Sequence, residues 1–124
     1  MQFLLMIHSN EREFGSLSQG ELGKMMAEYG ALTQSLKESG HYLGGNRLEP
    51  SGTAKSVRVR EGKRLSTDGP FAETKEQLGG YYLVEARDVD EAVGLAARIP
   101  GARLGTIEVR AIAPSPAGDA TGRK

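Results

Sequence analysis

The sequence predicts an α+β fold, a two-layer sandwich in which two helices cover one face of a mostly antiparallel sheet. Three observations carry this. The chain opens on a short apolar run, Gln2 to His8, too brief for a buried helix and apolar on both faces of a strand. Residues 18 to 39 repeat apolar side chains at helical spacing. A second strand-helix-strand run then fills residues 80 to 112.

Taken in order, Phe3, Leu5 and Ile7 fall on one face of the first strand and Leu4, Met6 and His8 on the other. A strand apolar on both faces is covered on both sides. Ser18 and Glu21 stand at capping-box spacing, and Leu17 and Leu22 at the spacing of a hydrophobic staple. Leu22, Met25, Met26, Tyr29, Leu32 and Leu36 then form one stripe, with Gly40 placed to close the helix. HYLGGNRLEP reads as a short strand ended by Pro50. KSVRVRE alternates strictly, which predicts Val57 and Val59 facing in and Ser56, Arg58 and Arg60 facing out. Glu61-Gly62 turns the chain into a partner strand, Lys63 to Thr67, giving a hairpin.

The strand Gly80 to Ala86 sets Tyr82, Val84 and Ala86 opposite Tyr81, Leu83 and Glu85. Gly79-Gly80 before it reads as a bulge or a close backbone approach, since no phosphate-loop lysine follows. Asp88 and Glu91 open a second helix with Val89, Ala92, Val93, Ala96 and Ile99 as its apolar residues, and Pro100-Gly101 stops it. Leu104 to Ile112 is the last strand, and residues 113–124 read as a disordered tail after a domain spanning 1–112. The element order is most simply ferredoxin-like. One sheet face lies under the helices. The apolar outer face of the first strand then calls for a cover, and a homodimer is the simplest one.

Composition narrows the function. Sixteen basic and sixteen acidic residues cancel, so nothing points to nucleic acid or a membrane surface. No apolar run approaches the roughly 20 residues of a membrane span, and the N-terminus lacks the basic lead of a signal peptide. The absence of cysteine excludes disulfides and thiolate chemistry and fits the cytoplasm. With two histidines, His8 and His41, at no ligand spacing, neither a metal nor another cofactor is expected.

The stretch TDGPFAETKEQLGGYYLVEA, preceded by KSVRVREGKRLS and followed by DVDEAVGLAARIP and GTIEVRAI, resembles the DGPF branch of the YCII-related family. The resemblance runs from about Phe3 to Ile112. It implies a dimeric ferredoxin-like α+β fold similar to that of muconolactone isomerases and related dimers of the α+β barrel type. It also implies a His-Asp pair in a cleft as active site, and in some relatives elimination or dehalogenation on ring compounds. For this branch it implies company with alternative sigma factors, hence a transcription-related protein partner. In the YCII branch the histidine precedes the glycine closing the first helix by eleven residues, a position held here by Tyr29. Of the dyad, the aspartate alone transfers by motif, as Asp68.

Asp68 has two readings. Before Gly-Pro it fixes a bend by accepting backbone N–H bonds; at a strand end it can serve as general base or substrate-orienting carboxylate. His8, closing an inner strand, is either a hydrogen-bonded core histidine or the proton shuttle paired with Asp68. Tyr29 is a core ring whose hydroxyl still needs a partner, and its position offers a hydrogen-bonding donor to a cleft. Phe71 anchors its loop to the core or stacks on a substrate. Glu73 and Lys75 are paired surface charges or face a ligand if the loop folds over a cleft. Arg58 and Arg60 read as a solvated edge, and His41 as a solvated side chain at a strand start.

Two functions are consistent with this. One is a small-molecule enzyme, a cofactor-free acid–base catalyst of the lyase or isomerase kind acting on a small polar or cyclic substrate. The other is a non-catalytic ligand-sensing or regulatory dimer linked to transcription.

Overall fold

The computed structural model describes residues 1–114. Its elements are β1 (Gln2–Ser9), α1 (Glu11–Gly15), α2 (Gln19–Glu38), β2 (Tyr42–Arg47), β3 (Lys55–Arg60), β4 (Lys63–Asp68), β5 (Gln77–Glu85), α3 (Val89–Ala96) and β6 (Thr106–Ala111). Single 3-10 turns lie at Ser51–Thr53 and Pro100–Arg103. Four strands make one antiparallel sheet in the order β2-β5-β1-β6, while β3 and β4 pair only with each other. Without that hairpin and the short α1 the order is β-α-β-β-α-β, and the fold is the ferredoxin-like sandwich.

The core lies between this sheet and α2 and α3. Phe3, Leu5, Tyr82 and Val84 rise from the sheet to meet Leu32, Leu36, Ala92, Leu95 and Ile99. α2 begins where its sequence specifies: the Ser18 hydroxyl accepts the Glu21 N–H at 3.1 Å and the Glu21 carboxylate accepts the Ser18 N–H at 2.9 Å. The Ser18 N–H first, and the Ser18 hydroxyl beside it, also hold the Glu21 carboxyl below the usual range. The helix closes as a Schellman motif, with Gly40 at φ 80°, its N–H on Lys37 O and the His41 N–H on Leu36 O.

α3 takes a different face from the one its valines suggest. Ala92, Leu95, Ala96 and, beyond the helix end, Ile99 are buried, whereas Val89 and Val93 are half exposed. Positions 92, 95, 96 and 99 follow the i, i+3, i+4, i+7 rule, and this turns 89 and 93 to solvent.

The hairpin also departs from its pattern. Glu61 (φ 51°) and Gly62 (φ 74°) make the two-residue primed turn expected of Glu-Gly. Yet Val57 and Val59 are 59% and 62% exposed, because β3 and β4 never join the main sheet and neither hairpin face has a core to meet. On the main sheet, the face away from the helices carries the half-buried Leu4, Met6 and Leu83. Of the tail expected over 113–124, positions 115–124 lie outside the described residues.

Candidate functional site

A cavity of about 350 Å³ opens between α2 and the sheet end where β2 and β5 run side by side. It exists because side chains are missing. Residues paired across neighbouring strands share a sheet face, so Gly45, opposite Tyr82, and Gly80, opposite Ile7 and Arg47, both face the helices. Neither tolerates a Cβ. One at Gly45 would lie 2.9 Å from Tyr81 O, and one at Gly80 would lie 2.9 Å from Asn46 O. Gly79 is the extra residue of the bulge between Ile7 and His8, as the Gly-Gly pair suggests. The floor is therefore bare backbone.

The opposite wall is soft: Met25, Met26, Tyr29 and Thr33 from α2. Phe14 of α1 completes this side of the lining. α1 is positioned by Asn10, whose side chain accepts the Arg12 and Glu13 N–H groups, and by Glu11. Both Glu11 carboxylate oxygens accept from Ser51, one from its N–H at 2.7 Å and one from its hydroxyl at 2.6 Å. The Glu11 N–H reaches the Gln77 side chain at 3.0 Å.

Four tyrosines line the cavity, and the hydroxyls of Tyr29 and Tyr82 differ in what remains free. The Tyr82 hydroxyl lies 2.8 Å from Thr33 Oγ1, which donates onward to Tyr29 O. Tyr82 therefore donates to Thr33, and that chain is complete. The Tyr29 hydroxyl accepts the Gly101 N–H at 3.1 Å, which leaves its own proton to donate. Burial pushes the Tyr29 hydroxyl above its ordinary pKa, opposed by the Gly101 bond. At neutral pH it is a donor and not a base.

The other residues singled out in the sequence lie elsewhere in the chain. His8 points to the open sheet face, its Nε2 3.1 Å from a Glu108 carboxylate oxygen. Asp68 closes β4 with its side chain 85% exposed and ion-paired to Lys55 across the hairpin. It accepts no backbone N–H among the described residues; the bend is made by Gly69 at φ 93°, whose N–H binds Ala54 O at 2.7 Å. Neither His8 nor Asp68 lines the cavity, so a single chain does not assemble the pair there. Phe71 is 84% exposed and anchors nothing, since its loop follows the free-standing hairpin. Glu73 is exposed. Lys75 lines a shallow polar recess with Asn10, Arg12, Thr74 and Gln77. His41 is not simply solvated: Ser39 Oγ lies 2.7 Å from its Nδ1 and Glu91 3.6 Å from its Nε2. Among the described residues no three His, Asp or Glu side chains cluster as metal ligands.

Sequence reasoning missed α1, Arg47 and the paving role of Gly45. Asn10 followed by Glu11 and Glu13 is an N-cap with an acidic first turn, and it was a usable signal for α1.

The family described as the YCII-related domain matches residues 1–115. The chain belongs to the YCII-related family. A curated relative, an uncharacterised protein of Rhizobium meliloti (strain 1021), is 33% identical over 115 residues, covering 91% of this chain and 93% of that one. Among solved structures, a 5-chloro-2-hydroxyhydroquinone dehydrochlorinase from Burkholderia phenoliruptrix, in complex with 2,5-dihydroxybenzoquinone, aligns with a TM-score of 0.48 at 16% identity. That alignment covers 96% of this chain and 100% of the other. At such distance the neighbour's chemistry is no guide to this chain's.

Proposed function

We propose that this YCII-related chain binds a compact, ring-containing small molecule in the cavity and presents one neutral hydrogen-bond donor to it, the Tyr29 hydroxyl. The observation that carries this is Tyr29 itself: it lines the cavity, burial raises its hydroxyl pKa, and the Gly101 N–H fills its acceptor side and leaves its proton to donate. The volume is at the small end of the range for small-molecule sites, and aromatic and thioether walls around a few polar groups are their usual lining.

Acid–base catalysis of the lyase or isomerase kind is the enzymatic extension of this reading. Tyr29 would polarise a carbonyl or developing oxyanion. A base drawn from Asp68 or His8 would have to come from a second chain. A homodimer laid over the half-buried Leu4, Met6 and Leu83 would bring that second chain and would cover the apolar sheet face away from the helices.

The test is a two-dimensional NMR screen of cyclic ketones, phenols and quinones, with Tyr29→Phe as comparison. Shifts should gather at Gly45, Gly80 and Tyr29, and affinity should fall about tenfold in the variant. A screen in which every hit shifts residues outside the cavity would overturn the proposal.

A further inference from the structure

Among the described residues Arg47 is the one cation in the cavity lining, and its position is unusual. It pairs with Gly80 across β2 and β5, so its side chain leaves the sheet on the cavity side over a residue with no side chain. There its guanidinium carbon sits 5.8 Å from the centroid of the Phe14 ring. Among the described residues it takes part in none of the ion pairs.

Two carboxylates share the lining, and they are not equivalent. Glu11 is already committed to Ser51 through both oxygens. Glu49, two residues after Arg47, makes no hydrogen bond or ion pair among the described residues. The lining thus offers a stacked, unpaired guanidinium, a neutral donor at Tyr29, and a flat backbone floor between Gly45 and Gly80.

We infer that the ligand is a planar carboxylate: its carboxylate meets Arg47 beside Phe14, its ring lies on the glycine floor, and an acceptor atom faces Tyr29. The inference rests on the cavity being the ligand site. A guanidinium suits this role because its planar fork matches a carboxylate through two parallel N–H bonds, and stacking on Phe14 pre-orients it. Glu49 sets the opposing term, since a second carboxylate near the opening repels an anion. The net preference comes from which of the two the ligand's anionic end approaches, and Arg47 is the one that strand register sets opposite Gly80.

The experiment compares 4-nitrobenzoate with 4-nitrobenzamide, matched in ring and acceptor and differing in charge, by NMR titration of the full chain. Wild type should bind the carboxylate about tenfold more tightly than the amide, the size of one hydrogen bond to a charged group. Arg47→Gln should abolish that preference, Arg47→Lys should restore part of it, and Glu49→Gln should increase it. Arg47 is on the surface, so these variants keep the fold, and matching spectra away from the cavity verify it. Equal binding of both probes by wild type, or a preference that survives Arg47→Gln, overturns the carboxylate assignment and leaves the cavity as a binding site. Failure of both probes to move the resonances of Gly45, Gly80 and Tyr29 overturns the cavity reading and this inference together.

Discussion

The amide of Gly101 donates to the Tyr29 hydroxyl at 3.1 Å, and a Cβ on Gly101 would stand 2.7 Å from that same oxygen. Bond and clash thus define one position: Gly101 holds the phenol where it is because Gly101 has no side chain.

Gly101→Ala should therefore cost more than an ordinary surface change. The added methyl meets both Tyr29 Oη and Ile7 Cγ2, and overpacking of this kind costs about 1–3 kcal/mol. Denaturant unfolding would show it as a lower midpoint with an unchanged slope. A midpoint equal to wild type would mean that the tyrosine moves freely and is not held.

Tyrosinate absorbance should place the Tyr29 titration above the ordinary tyrosine value of about 10, because burial opposes the charged form. The folded pKa exceeds the unfolded one, so this group's stability contribution is full below the unfolded value and is lost as pH rises through the folded value. Comparison with Tyr29→Phe assigns the step. An unchanged titration curve in the variant would show that the shifted group is another tyrosine.

Acid stability should depend on Glu91. The Arg87 backbone N–H at 2.9 Å, then the Arg87 and His41 side chains, hold its carboxyl below the usual range, against the opposing effect of burial. A folded pKa below the unfolded one gives stability that is present above about pH 4.3 and is lost as pH falls through the folded value. Glu91→Gln should thus narrow the gap in unfolding free energy between pH 7 and pH 3. An identical gap would remove Glu91 from the acid transition.

The hairpin turn carries a correctable cost. Glu61 sits at φ 51°, where a side chain with a Cβ is disfavoured and asparagine is tolerated better. Glu61→Asn should slow amide exchange in β3 and β4 by up to about fivefold, equivalent to roughly 1 kcal/mol. Global melting is a poor readout, since the hairpin is not part of the main sheet.

Light scattering should give twice the chain mass if Leu4, Met6 and Leu83 form a homodimer face, and Met6→Lys should return the single-chain mass. A wild-type protein that scatters as one chain at all concentrations ends the dimer proposal, and with it the delivery of Asp68 from a second copy.

The fold was legible where local chemistry and tertiary packing agree. Ser18, Glu21 and Gly40 each mark a helix terminus through bonds to their own backbone, which sequence spacing reports directly. Val57 and Val59 misled because alternation says that two faces differ and not that either has a core beside it. For the site, Tyr29 was found through a motif position and lines the cavity. Gly45, Gly80 and Gly101 matter through the space they leave, and that space appears only when β2, β5 and the Pro100–Arg103 turn come together. Arg47 carries no signal of its own in the sequence, because only its pairing with Gly80 in the folded sheet gives it a face.

The bare glycine floor has a consequence for how this site can diversify. One jaw of the vise is fixed: backbone atoms 2.9 Å from the would-be Cβ at Gly45 and at Gly80 forbid even alanine. The other jaw is built from Met25, Met26 and Phe14, long or planar side chains that can be exchanged singly. Ligand thickness is thus adjustable from the helical side only, and a family using this cleft would vary its cargo by rewriting α1 and the first half of α2 while the two glycine strands stay as they are.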